Sequence, residues 1–187
     1  MNVILFDDQS RNELLPLTYT RPVADIRIGI RTIREKWEGY LEQTTSSLTE
    51  AYLSKKFPLK IEAKNILING AVCPNKDLLE EILKLELNQK LVDGDQLIAA
   101  HVDEYILNNS LKNKLPVWKI DVIKFSTQYK AIRLNNLWDI FQKNGDAFLE
   151  DYNYLTQNRK SKVLCSTNQA LGKDIFIEEG ARIECAV

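Results

Sequence analysis

Short apolar runs alternate with apolar residues at helical spacing through most of this chain, the pattern of buried strands overlaid by amphipathic helices. Val3 to Phe6 is continuously apolar and stops at Asp7-Asp8-Gln9-Ser10, so it reads as a central parallel strand feeding a polar loop. From Ile30, the residues Ile33, Trp37 and Tyr40/Leu41 recur at the helix period while Arg34, Glu35, Lys36 and Glu38 fill the other face. Ile66 to Ile68 predicts a second buried strand, followed by a loop through Asn69-Gly70 and Pro74-Asn75 and a helix carrying Leu78, Leu79, Ile82, Leu83 and Leu85. Gln96 to Val102 predicts a strand, and so does Val117 to Phe125, where Val117, Lys119 and Asp121 alternate with Trp118, Ile120 and Val122. Tyr129 to Leu134 is placed to pair with it as a hairpin. Leu137 to Asn144 predicts a short helix closed by Gly145 in a left-handed cap, and Phe148, Leu149, Tyr152 and Leu155 mark another.

Alternating strands and helices predict an α/β fold, Rossmann-like, with a mostly parallel sheet covered on both faces. This domain spans residues 1–162, its last stretch, Thr156 to Lys162, being a polar linker. Residues 163–187 follow a different rule. Leu171, Ile177 and Ile183 lie six residues apart, and Ile175, Ala181 and Val187 repeat that spacing, with Gly172 and Gly180 near corners. A six-residue period predicts the start of a left-handed β-helix, although a coincidence in a short β tail would read the same way. One coil cannot bury its own inner face, so this reading expects further coils beyond Val187 or docking on another chain.

Composition narrows the function classes. With 25 basic and 26 acidic residues interspersed and a formal net charge of −1, the chain shows no electrostatic footprint for nucleic acid or an anionic membrane. Cys73, Cys165 and Cys185 lack the close pairing of a zinc site or redox motif, which predicts a reduced, cytoplasmic setting. The first apolar run is too short for a signal peptide, and no stretch approaches the roughly 20 apolar residues that span a bilayer.

The loop after the first strand is the strongest candidate for chemistry, because open α/β sheets bind ligands at the carboxyl ends of their strands. It carries Arg11 and Arg21, with Arg27 and Arg31 beyond, and arginine forks match phosphate oxygens bidentately. Two readings stay open here: arginines converging on a phosphate, or arginines paired with Asp7, Asp8, Glu13 and Asp25. Asp93-Gly94-Asp95 offers a carboxylate pair or a simple turn. His101, the only histidine, reads as a packing residue, and Trp37, Trp118 and Trp138 read mainly as core, with a base-stacking role left open for one of them.

Leu15-Pro16-Leu17-Thr18 with Pro22 beyond resembles the Pro-Leu-Thr portion of the sugar-phosphate nucleotidyltransferase signature. The run from Phe6-Asp7-Asp8 through Thr20-Arg21-Pro22-Val23, with Gly29-Ile30-Arg31-Thr32-Ile33-Arg34-Glu35-Lys36-Trp37, resembles a Bacteroidetes-type bacterial branch of that family, and Asn136-Leu137-Trp138-Asp139 with Asn144 agrees. Members of that branch are described as bifunctional uridyltransferase and acetyltransferase of UDP-N-acetylglucosamine synthesis, or as glucose-1-phosphate thymidylyltransferases. Their second half is a left-handed β-helix. The resemblance implies a nucleotide-diphospho-sugar transferase fold, a nucleoside triphosphate and a sugar phosphate as substrates, Mg2+ as cofactor, and a homotrimer built through the β-helix. On the reading of the chain as an enzyme, Arg11 and Arg21 hold phosphates and Asp95, from the Asp93-Gly94-Asp95 pair, is the candidate metal ligand, these three being the catalytic groups. Asp7, Asp8, Thr18, Arg27, Asn69 and Gly70 would bind substrate.

The chain departs from the family at three places. The first loop has no glycine before Pro16, Val23 stands where the family has lysine after the proline, and Ala71 stands where the family has a magnesium-binding aspartate. Glu13 takes the usual arginine position, with Arg11 nearby. An enzyme and a binding module that has lost catalysis are therefore both expected readings. A third, an assembly domain for the β-helix, would tolerate Arg21→Ala.

Overall fold

A computed structural model describes residues 2–127, 131–166 and 168–183. Strand β1 (Asn2–Phe6) leads into a single turn, α1 (Ser10–Glu13), then a small hairpin of β2 (Arg27–Ile28) and β3 (Arg31–Thr32). Helix α2 (Ile33–Leu41) follows at once, opened by a capping box in which the Thr32 hydroxyl accepts from Glu35 N–H and Thr32 N–H donates to the Glu35 carboxylate. Next come β4 (Ser46–Leu48), β5 (Lys64–Asn69), α3 (Lys76–Leu83), β6 (Gln89–Asp93), β7 (Gln96–Asp103) and α4 (Glu104–Lys112). Strand β8 (Ile123–Ser126), α5 (Leu137–Gln142) and α6 (Asn144–Thr156) complete the order.

One six-stranded sheet runs β4-β1-β5-β7-β6-β8. β1 pairs in parallel with β4 and β5, and β6 with β8, while β7 runs antiparallel to both its neighbours. The continuous apolar run of β1 is explained by cover on both sides. Val3 and Leu5 join Ile33, Trp37, Leu78, Ile82 and Ala147 in one core, and Ile4 and Phe6 join Leu107, Val117 and Ile120 in a second core on the other face.

Several expectations are corrected. Val117 to Phe125 is not one strand: Pro116 sets a 3-10 turn over Val117–Lys119, and only Ile123–Ser126 joins the sheet. The alternation that suggested a strand instead gives Val117 and Ile120 to the second core, three residues apart. Arg133 bridges Val72 rather than β8, so residues 132–134 pair beyond β5, while Tyr129 of the expected hairpin lies outside the described residues. Gly145 does not close a helix but sits in the first turn of α6, the break falling at Lys143. Asp93-Gly94-Asp95 is the turn between β6 and β7, with Gly94 at φ +59°. Trp138 is 59% exposed rather than core.

Among the described residues after 162, no strand of the expected β-helix forms. The tail doubles back once, Lys162 N–H donating to Ile177 O at 2.9 Å, but Leu171 and Ile183 remain exposed. Cys185 and Val187 lie outside the described residues. No helix among the described residues is long and apolar enough to cross a membrane.

Candidate functional site

The segment after the carboxyl end of β1, the start of β7 and residues 133–136 converge on a cleft of about 340 Å³. Asp8, Asp95, Trp118 and Arg133 are among its walls. β1 ends at Phe6 because Asp7 and Asp8 each turn to a set of donors that a strand ladder could not use. Asp8 Oδ1 accepts from Ser10 N–H at 2.9 Å and Ser10 Oγ at 2.5 Å, which sets the first turn of α1. Its Oδ2 accepts from Asn69 Nδ2 at 2.8 Å and Arg133 Nη2 at 2.5 Å.

Arg133 reaches this point because its backbone is fixed from three sides. Cys73 N–H donates to Ile132 O at 2.8 Å, Leu134 N–H donates to Ala71 O at 2.9 Å, and Lys143 Nζ donates to Arg133 O at 2.7 Å. The side chain is 11% exposed, and its Nε and Nη1 have no hydrogen-bond partner among the described residues. Burial pushes its pKa below the ordinary arginine value, against the pull of Asp8 and Asp93. Arg133 lines the cleft as a residue, and its two unpartnered nitrogens are themselves closed off from solvent, an exception among buried polar groups that asks for an explanation.

Of the two open readings of the first-loop arginines, pairing holds for Arg11. Arg11 is 6% exposed and bonds Asp7 at 2.7 Å, Tyr52 Oη at 2.9 Å, Arg21 O at 3.2 Å and Thr18 O. It is spent on holding its own loop closed. Arg21 is exposed and Arg27 sits on the β2–β3 hairpin, bonding Ile30 O and facing Glu35 at 3.7 Å. Arg11, Arg21 and Arg27 therefore share no phosphate pocket, and none of them lines this cleft. The expectation failed because pairing with buried Asp7 outweighs exposure to solvent for Arg11.

Thr18 and Asn69 are fully buried, bonding Arg11 O at 2.8 Å and Leu97 O at 2.9 Å respectively. Gly70 packs where a Cβ would lie 3.2 Å from Phe6 O and Ala24 N. These three shape the site from behind. Of the expected residues, only Asp8 and Asp95 line the cleft; Arg133, Gln96, Asn135 and Asn136 are additions. The signal that could have found Arg133 is a lone cation inside the apolar run Ala131-Ile132-Arg133-Leu134. Asp7 is held internally as well, accepting from Val23 N–H at 2.8 Å and Thr49 Oγ1 at 2.5 Å. Burial raises its pKa in spite of bonds from Thr49, Val23 and Arg11.

A family model for sugar nucleotidyl transferases matches residues 3–160. The chain belongs to that family. A structure described as a glucose-1-phosphate thymidylyltransferase from Bacillus anthracis, crystallised with sucrose, aligns with it at a TM-score of 0.50. The two are 10% identical over 79% of this chain and 95% of that one. A CTP:phosphocholine cytidylyltransferase from Streptococcus pneumoniae aligns at 0.45, 10% identical over 78% and 98%. At such identity the likeness to the former is one of fold. No curated protein sequence matches the chain.

At the places where the family resemblance puts a magnesium ligand, the described residues offer few free carboxylates. Ala71 is buried with its N–H on Asn69 Oδ1, and Asp8 already accepts from four donors. Asp95 is fully exposed and stands 3.8 Å from Lys124. Among the described residues no three His, Cys, Asp or Glu side chains are grouped to hold a metal.

Proposed function

We propose that this chain joins a nucleoside triphosphate to a hexose 1-phosphate, with the Arg133 cleft holding phosphate. In that reaction a sugar-phosphate oxygen attacks the nucleotide α-phosphorus, the bond to the β-phosphate oxygen breaks, and pyrophosphate leaves. The observation behind the reading is the Arg133 side chain, a cation that lines the cleft of a chain of the sugar nucleotidyl transferase family and whose one side-chain partner among the described residues is Asp8. Its role is electrostatic: a fixed cation stabilises charge on a phosphoryl group without reorganising. Asn135 and Asn136 line the same cleft and are placed to orient sugar hydroxyls. Mg2+ belongs to this proposal as a companion of the triphosphate, since it is usually held largely by substrate phosphates.

A second reading, binding without turnover, draws on Ala71 and Val23 and on Asp8 occupying the donors of the first loop. The wider proposal, a cytoplasmic homotrimer assembled through a hexapeptide-repeat half with an acetyltransferase activity, draws on the six-residue spacing and the family branch alone. Thermal shift of the purified chain against five nucleoside triphosphates and several hexose 1-phosphates, with and without Mg2+, separates the readings. A ligand at 100 times its Kd adds about 2.7 kcal/mol of stability. A shift followed by pyrophosphate release supports transfer; a shift without release supports the binding module; no shift with any ligand removes both.

A further inference from the structure

The three tryptophans differ in what their rings do. Trp37 is fully buried and its indole N–H donates to Val72 O at 2.7 Å. Trp138 lies exposed on α5, away from the cleft walls. Trp118 is half-buried on the 3-10 turn, packed against the second core, and its indole N–H donates to no group among the described residues. Its indole is open to solvent on the side of the cleft, so Trp118 presents an accessible aromatic surface there, unlike the enclosed ring of Trp37.

A second cavity, of about 680 Å³, adjoins the Arg133 cleft and shares Asp8, Gln9 and Trp118 with it. It lies between the segment Leu48–Ala51 after β4 and the stretch Leu111–Trp118 that follows α4. Leu48, Ala51, Leu115 and Val117 make much of its wall apolar. Asp7, Arg11 and Asn12 of the first loop, with Glu50 and Lys114, add polar and charged groups to this wall, and a volume in the range of small-molecule sites that pairs an apolar side with polar groups suits a planar heterocycle. Trp118 belongs to both cavities, so a ligand with phosphates in one and a heterocycle in the other must pass this indole.

We propose that Trp118 is a specificity-determining residue that stacks on the heterocyclic base of a nucleotide while Arg133 holds its phosphates. The inference rests on the phosphate reading of the Arg133 cleft and adds the base subsite to it. Stacking is tolerant of base identity, because every base has a π-face, so Trp118 separates nucleotides from bare polyphosphate more strongly than one base from another.

The test compares nucleoside triphosphates with inorganic tripolyphosphate by calorimetry and by tryptophan emission. Trp118→Ala should weaken nucleotide binding roughly 5- to 100-fold and leave tripolyphosphate binding near wild type. Trp118→Phe, which keeps an aromatic ring and the packing of the turn, should retain nucleotide affinity but abolish the emission change that nucleotide produces in the wild type. Equal losses for both ligands in Trp118→Ala, or an emission change that survives in Trp118→Phe, would overturn the inference. Tripolyphosphate binding with no gain for nucleotides would overturn it while leaving the phosphate site standing. Absence of binding by either ligand would remove the phosphate reading and this inference together.

Discussion

Asp151 accepts from two cations and two backbone N–H groups, Asp8 from one of each together with two neutral side-chain donors, and one closes a structure while the other borders a cleft. Asp151 is 1% exposed and joins α6 to the β2–β3 hairpin and α2. Its Oδ1 accepts from Arg31 Nε and Nη2 at 3.0 Å each, and its Oδ2 accepts from Ile30 N–H at 2.9 Å, Arg31 N–H at 3.1 Å and Lys36 Nζ. Arg31 also lies over the Tyr154 ring at 4.3 Å, and Gly29 leaves no room for a side chain, a Cβ there falling 2.7 Å from Ala147 O. At Asp8 the same chemistry ends differently, because Arg133 gives only Nη2 to the carboxylate and keeps Nε and Nη1 unpaired. Satisfied ion pairs fix architecture; an unsatisfied buried cation next to a cleft leaves binding capacity unused.

The contrast can be broken at its strongest point first. Asp151→Ala strands Lys36, which is 2% exposed, and should cost about 3–5 kcal/mol in denaturant unfolding. A loss below about 1 kcal/mol would mean that Lys36 escapes to solvent and that the cluster is not structural. Arg133→Ala should do the reverse, weakening phosphate and nucleotide binding roughly 10- to 100-fold in calorimetry while costing less stability than Asp151→Ala. Were binding untouched, the unpaired donors would have no part in the site.

Asp8→Asn sharpens the same comparison. Removing the carboxylate charge takes away Arg133's internal partner and a like charge from the cleft, so inorganic phosphate should bind more tightly. Because an amide cannot accept from every donor that Asp8 serves, stability should fall by about 1–3 kcal/mol. Unchanged or weaker phosphate binding in titration would show that Asp8 does not compete with the ligand.

The smallest effect concerns Asp7. Burial raises its folded pKa, so folding favours the protonated carboxyl, and that stabilisation is complete below the unfolded pKa and lost as pH rises through the folded value. The stability difference between wild type and Asp7→Asn should therefore shift against the wild type as pH rises from about 3 toward 6. Guanidinium unfolding at several pH values measures it, and a flat difference would place Asp7 at its ordinary pKa.

Much of the fold was legible. Val3–Phe6, Ile66–Ile68 and Gln96–Val102 appear as β1, β5 and β7, and the helical spacings from Ile33 and from Leu78 appear as α2 and α3. β4 and β6 were missed because Ser46–Leu48 is short and polar, and Gln89–Asp93 presents only Leu91 and Val92 as apolar residues. Helix α4 was missed because Asn108, Asn109 and Ser110 interrupt its apolar positions, though Asp103 caps it through Ile106 N–H at 2.8 Å. The antiparallel direction of β7 follows from the two-residue turn at Gly94-Asp95, which no crossover helix could replace.

The candidate site was less legible, for a reason visible in Arg11 and Arg133. By residue type and spacing Arg11 is the better phosphate ligand, lying in the loop after the first strand. What decides between them is the partner each meets: Asp7 stands four residues before Arg11 on the same loop, whereas Asp8 meets Arg133 across 125 residues of chain. Local patterning determined the strongly periodic elements β1, β5, β7, α2 and α3 and the two-sided burial of the central strand, because those depend on neighbouring residues. Which cations are consumed and which stay free was decided by tertiary structure alone, because an ion pair forms where side chains meet in space, and spacing along a chain does not record that meeting.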